Sequence, residues 1–107
     1  MFAAIYTWRI KPGTEEKFRR HWVRGTEIVR DRCGAWGSRL HRSEDGLMVA
    51  YAHWPSKADR DRVWHNLPYD VKREVAAMRA LIVEILPEVS LTVTDDLLEP
   101  KFDRAVP

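Results

Sequence analysis

Gly37-Ser38-Arg39-Leu40-His41-Arg42, then Ser43-Glu44-Asp45-Gly46, then Leu47-Met48-Val49-Ala50-Tyr51-Ala52-His53-Trp54-Pro55-Ser56: this unbroken stretch decides the fold. Two strand-compatible runs flank Asp45-Gly46, a strong hairpin signal, because a type I′ turn needs positive φ at both central residues. The second run stops at Pro55. Ser56-Lys57-Ala58-Asp59 then has the Ser-x-x-Asp form of a helix-starting capping box. The middle of the chain is therefore a hairpin feeding a helix.

Outward from this unit, Phe2 to Ile10 alternates, with Phe2, Ala4, Tyr6, Trp8 and Ile10 on one side. Its aromatic and β-branched content predicts a strand, closed by Lys11-Pro12-Gly13. Thr14 suits an N-cap, and Glu15 and Glu16 suit the positive end of a helix dipole. The helix that follows carries Phe18, His21, Trp22, Gly25, Ile28 and Val29 as one stripe and ends at Gly34. Beyond the hairpin, a short helix is expected from Ser56 to Asn66, broken by Leu67-Pro68. Val71, Val75, Met78, Ile82 and Ile85 recur at steps of four and three, which predicts a helix over Tyr69–Leu86. Val89, Leu91 and Val93 alternate with Ser90, Thr92 and Thr94, a last strand over Glu88–Thr94. The polar residues 99–107 form a tail behind a domain spanning 1–98.

Strand, helix, strand, strand, helices, strand is the order of an α+β ferredoxin-like split β-α-β sandwich. It predicts an antiparallel four-stranded sheet with helices on one face. The uncovered face would carry Leu47, Val49 and Tyr51, with Ala3 and Ile5. An open apolar face is best covered by a second copy, so a homodimer is expected.

Composition narrows the function classes. The chain has 107 residues, and its 18 basic and 16 acidic side chains leave a net charge of only +2. Opposite signs alternate locally, as in Asp59-Arg60-Asp61-Arg62, which reads as solvated helix faces rather than a phosphate-binding stripe. Nucleic acid is not an expected partner. No run approaches the 18 or more apolar residues of a membrane span, and no signal-peptide pattern opens the chain. One cysteine, Cys33, suits a reducing cytoplasm. Of five tryptophans, three adjoin a histidine: His21-Trp22, His53-Trp54 and Trp64-His65.

The phrase Tyr51-Ala52-His53-Trp54-Pro55-Ser56, behind Gly37-Ser38-x-Leu40-His41 and Asp45-Gly46, resembles the antibiotic biosynthesis monooxygenase family. So does the opening strand with its Pro12-Gly13 turn and acid-capped helix. The resemblance runs from Phe2 to about Thr94. It implies a dimeric α/β barrel, in which two ferredoxin-like sheets face one another and each subunit holds a cavity between sheet and helices. In the polyketide-type members no metal or flavin is needed, because the deprotonated phenolic substrate itself reduces dioxygen. The family's substrate-facing strand tryptophan falls on Trp54. Its asparagine four residues earlier falls on Ala50, and a tyrosine of the following helix falls near Arg60, both departures. Haem-degrading members use an asparagine and a histidine where this chain has Tyr6 and residues near Glu74, which disfavours haem.

A two-residue loop sorts the hairpin side chains by parity. Arg39, His41, Met48, Ala50, Ala52 and Trp54 then share one face, and Leu40, Val49, Tyr51 and His53 the other. The first face, with one large aromatic and two alanines, suits a pocket for a flat ligand. Alternatively, Ala50 and Ala52 merely admit close-packed helices and Trp54 is core. On the monooxygenase reading Trp54 and Tyr6 stack the aromatic ring, His41 or His21 takes the proton, and Arg39 stabilises the phenolate. Trp22 is counted with the substrate pocket, and so is Trp64, which at the end of the short helix suits either the cavity mouth or the dimer edge. A buried His21 could equally be a satisfied core residue. His41 and His53 fall on opposite faces, and no metal-ligand spacing occurs, so no metal is expected. Three readings follow: a cofactor-independent monooxygenase of a phenolic or quinonoid molecule using dioxygen, a non-catalytic small-molecule-binding dimer, and the disfavoured haem protein.

Overall fold

The structure, a computed structural model, describes residues 1–99. Its elements are β1 (Phe2–Ile10), α1 (Glu15–Arg32), β2 (Gly37–Arg42), β3 (Met48–Trp54), α2 (Lys57–His65), α3 (Tyr69–Arg79), β4 (Ile82–Ile85) and β5 (Val89–Thr92). The expected tail over 99–107 lies, Glu99 apart, outside the described residues.

The sheet is antiparallel and open. Its strands run β2-β3-β1-β4, and β5 also pairs with β1. β4 pairs with Trp8–Ile10 and β5 with Phe2–Ile5, so the two lie end to end along one edge of β1. The expected last strand over Glu88–Thr94 is β5, and β4 is an additional strand ahead of it, separated by a gap that contains Pro87, which has no N–H to give a ladder. Leu86 N–H still donates to Thr7 O across the gap, at 3.0 Å. The architecture is the expected α+β ferredoxin-like one, with this fifth strand added.

The helix expected over Tyr69–Leu86 ends instead at Arg79. Leu81 N–H closes a turn on Met78 O (2.9 Å), and Ile82 to Ile85 join the sheet. β-Branched Ile82, Val83 and Ile85 favour extended backbone, and the free edge of β1 offers them hydrogen bonds that a helix extension would leave unmade. The other boundaries match. Gly34 ends α1 with φ +87°, and Ser56 Oγ accepts from Asp59 N–H (3.1 Å) at the start of α2. Thr14 does not cap through its side chain; its hydroxyl donates back to Lys11 O at 2.6 Å.

The hairpin is one residue longer than its dipeptide predicts. Arg42 pairs with Met48 and Leu40 with Ala50, and Ser43 N–H donates to Leu47 O, leaving Glu44-Asp45-Gly46 as a three-residue loop. Gly46 N–H closes the turn on Ser43 O, and Gly46 alone of the three has positive φ, +83°. A type I′ turn would need positive φ at Asp45 as well. The loop is therefore a tight turn followed by a left-handed glycine, and it shifts the register by one.

That shift moves every β2 side chain to the opposite face. Ser38, Leu40 and Arg42 now share the helix-covered face with Met48, Ala50, Ala52 and Trp54, while Arg39 and His41 join Val49, Tyr51 and His53. The core beneath the helices forms two clusters. One gathers Phe2, Ala4, Ala35, Ala52, Trp54 and Val63; the other gathers Phe18, Met48 and Met78 with Trp8 and Trp22. The uncovered face carries Ile5, Val49, Tyr51, Val89 and Leu91, the last two exposed.

Candidate functional site

Between sheet and helices, bordered by members of both core clusters, lies a cavity of about 480 Å³. That is within the roughly 300–1,000 Å³ typical of small-molecule sites. β1 supplies Tyr6 and Trp8, and β3 supplies Ala50, Ala52 and Trp54. α1 adds Trp22, Gly25 and Val29, α2 adds Arg60 and Trp64, and α3 adds Val71, Val75 and Met78. Space exists here because Ala50, Ala52 and Gly25 stand where larger side chains would fill it. Gly25 also lets α3 approach: a Cβ there would lie 3.4 Å from Glu74 Cβ. Four of the five tryptophans wall the cavity.

One corner is polar. Arg60 is only 7% exposed. Its Nη1 donates to Tyr6 Oη (2.9 Å) and Glu88 Oε2 (2.8 Å), and its Nε to Asp61 Oδ1 (2.8 Å). Its guanidinium carbon lies 5.0 Å from the Phe2 ring centroid, a cation–π distance. Burial disfavours the charge, but hydrogen bonds to Asp61, Glu88 and Tyr6 outweigh it and hold Arg60 firmly protonated. Burial also raises the Tyr6 phenol above its ordinary value, against the lowering influence of Arg60, so Tyr6 keeps its proton. In sequence Arg60 sits in the alternating run Asp59-Arg60-Asp61-Arg62, which suggests a solvated helix face; the structure instead buries it. Its spacing to Val63 and Trp64, three and four residues on, was the available sign that it points inward.

Trp54, Tyr6, Trp22, Ala50 and Trp64 all line the cavity. Trp54 is 3% exposed, and its indole N–H finds no acceptor among the described residues. Trp64, 41% exposed, reaches from the cavity to solvent. Arg39 and His41 lie elsewhere. The register shift turns both onto the uncovered face at the edge strand, where His41 Nδ1 donates to Val49 O (3.1 Å). They border a separate shallow groove with Glu15, Arg19 and Arg42.

His21 does not line the cavity either. Its Nδ1 donates to Glu74 Oε1 at 2.7 Å, which ties α1 to α3, and Arg24 stands 3.6 Å from the same carboxylate. Among the described residues no histidine borders the cavity, and its carboxylates are Asp61 and Glu88. Glu88 was not singled out from sequence, because nothing in Pro87-Glu88-Val89 announces a contact with α2. Among the described residues no three His, Cys, Asp or Glu side chains converge as a metal site requires. No helix among them is long and apolar enough to cross a membrane.

Solved structures place this arrangement. SnoaB from Streptomyces nogalater, a cofactor-independent oxygenase crystallised as a point variant, superimposes with a TM-score of 0.73 at 19% identity, over 92% of this chain and 97% of that one. An antibiotic biosynthesis monooxygenase superimposes with a TM-score of 0.73 at 20% identity, over 89% of this chain and 100% of the other. This chain has the antibiotic biosynthesis monooxygenase fold. Rv0793 from Mycobacterium tuberculosis shares that fold with a TM-score of 0.72 at 18% identity, over 91% of this chain and 98% of its own. No family model matches the sequence, and no curated protein matches it. In this chain the cavity between sheet and helices is lined by aromatic rings and bordered by the Arg60 corner.

Proposed function

We propose that the protein is a cofactor-independent monooxygenase of a small phenolic or quinonoid aromatic, working in the cytoplasm as a homodimer joined through its uncovered sheet face. The cavity carries this reading: a tryptophan-walled space, large enough for a fused-ring molecule, with a polar corner at Arg60. The likeness of the fold to a cofactor-independent oxygenase supports it. Trp54, Trp22 and Trp64 would enclose the ring system and exclude water. Glu88 is the better-placed proton acceptor, since its Oε1 takes no hydrogen bond among the described residues. A substrate with an acidic ring methylene would lose a proton there and become electron-rich enough to react with dioxygen. The balance needs no outside reductant: the methylene carbon becomes a carbonyl, supplying four electrons. One oxygen atom enters the product and the other leaves as water with the two hydrogens.

The second reading, a dimer that binds such molecules without chemistry, is favoured by two observations. Ala50 stands where the resemblance implies a polar asparagine, and no histidine borders the cavity. Oxygen uptake by metal-free, flavin-free protein over anthrones, hydroquinones and flavonols separates the two. Trp54→Phe is the usable variant, because Trp54→Ala would empty a core position at a cost of about 3–5 kcal/mol. Uptake reduced at least tenfold in Trp54→Phe supports oxygenation. Saturable binding of the same compounds with no uptake refutes it in favour of the binding protein.

A further inference from the structure

We infer that the Tyr6 phenol is a hydrogen-bond donor aimed at a carbonyl oxygen of the ligand, so that the cavity selects aromatic ketones and quinones over ring systems of the same shape without that oxygen. The inference rests on the cavity being an aromatic-ligand site and concerns what distinguishes one aromatic from another there.

A phenol can accept hydrogen bonds through its oxygen and donate one through its O–H. Tyr6 Oη accepts from Arg60 Nη1 at 2.9 Å, which fixes where its lone pair points. The neighbouring carboxylate does not take the phenolic proton: Glu88 Oε2 accepts from Arg60 Nη1 (2.8 Å) and from Ser90 Oγ (3.0 Å). No hydrogen bond joins Tyr6 to Glu88, and among the described residues none takes the Tyr6 proton. A part-buried O–H with an accepting role filled and a donating role open, on a cavity wall, is built to meet an acceptor. Arg60, donating into the same oxygen, makes that O–H a stronger donor, since hydrogen bonds in a chain polarise one another. Burial keeps the proton on Tyr6.

Arg60 is already matched by Asp61 and Glu88, at 2.8 Å each, so it holds Tyr6 in place rather than meeting a charge on the ligand. Arg60 is on this view a positioning residue, and Tyr6 the group that reads the ligand.

The test compares 9-fluorenone with fluorene, which share a three-ring frame and differ in one carbonyl, by titration calorimetry against wild type and Tyr6→Phe. Wild type is expected to bind the ketone about tenfold more tightly than the hydrocarbon, the scale of one hydrogen bond. Tyr6→Phe should erase that preference while leaving fluorene binding within about threefold. A second readout needs no variant: the C=O stretch of bound fluorenone should move to lower wavenumber than in a hydrocarbon solvent, and the move should vanish in Tyr6→Phe. Equal binding of both probes to wild type, or an unshifted stretch, overturns the role of Tyr6 and leaves the aromatic cavity standing. Failure of both probes to bind overturns the cavity reading itself, and this inference with it.

Discussion

Replacing Arg60 with methionine tests whether the polar corner holds the fold together as well as shaping the cavity. The substitution removes the charge and all three hydrogen bonds, yet keeps a side chain of similar reach. Breaking a buried ion pair by deleting one partner costs about 3–5 kcal/mol when the other is stranded. Here the stranded partner is Glu88, whose side chain is 34% exposed and can regain water, so the lower end or less applies. The lost bond to neutral Tyr6 adds about 1 kcal/mol. The vanished cation–π contact with Phe2 is roughly offset by a methionine sulfur near the same ring. Asp61 keeps Lys57 Nζ at 3.0 Å. The expected loss is about 2–3 kcal/mol, a large part of the roughly 5–15 kcal/mol of a small domain. At about 4–8 °C per kcal/mol this lowers Tm by roughly 10–20 °C. Urea unfolding followed by tryptophan fluorescence is the assay, with an unchanged m-value as the sign that both end states persist. Arg60→Lys should fall between, because a single ammonium cannot reproduce the fork. If Arg60→Met lies within about 0.5 kcal/mol of wild type, the corner contributes nothing to stability and the reasoning fails.

Two further outcomes are expected. Glu74 sits below the ordinary carboxylate range, chiefly because His21 donates to it; a carboxylate depressed in the native state stabilises above its unfolded value and loses that contribution as pH falls through the native one. Wild-type stability should therefore decline below about pH 4.5, and Glu74→Gln should flatten that acid limb; identical pH profiles by urea titration would refute the linkage. Gly46→Ala should destabilise by about 1 kcal/mol, since φ is +83° and nothing lies within 4 Å of the added Cβ, leaving backbone strain as the only cost; Gly46→Asn should cost less, and an unchanged Tm for Gly46→Ala would mean the turn is not left-handed there.

The sequence made the order of elements legible because its strands alternate strictly and its stops are chemically explicit: Pro12-Gly13, Gly34, Pro55, Pro68. It also put Tyr6, Trp22, Ala50 and Trp54 on faces whose burial follows from their own elements, whereas for Trp64 it left the cavity mouth and the dimer edge equally open. The assignment of Arg39 and His41 depended instead on the length of one turn. Asp45-Gly46 serves a two-residue loop and a three-residue loop equally well, and the choice follows from the single positive φ and the Ser43–Leu47 pairing, which no dipeptide reveals. The end of α3 was hidden for a related reason: Ile82 and Ile85 continue a helical period, and only the open edge of β1 draws them into the sheet. Arg60 and Glu88 meet across 28 residues, beyond the reach of any local pattern.

The Arg60 corner joins β1, α2 and the residue just ahead of β5, with Tyr6 and Arg60 separated by 54 positions in the chain. Nothing short of the complete topology brings these three segments together. A chain that has formed only its central hairpin and first helix would own part of the cavity's apolar wall and lack the Arg60 corner. Preference for a carbonyl would then require β1, α2 and the segment ahead of β5 to be in place together. A ligand that reads Tyr6 would therefore draw the native population alone, and act on this domain as a pharmacological chaperone rather than as a solvent for its greasy intermediates.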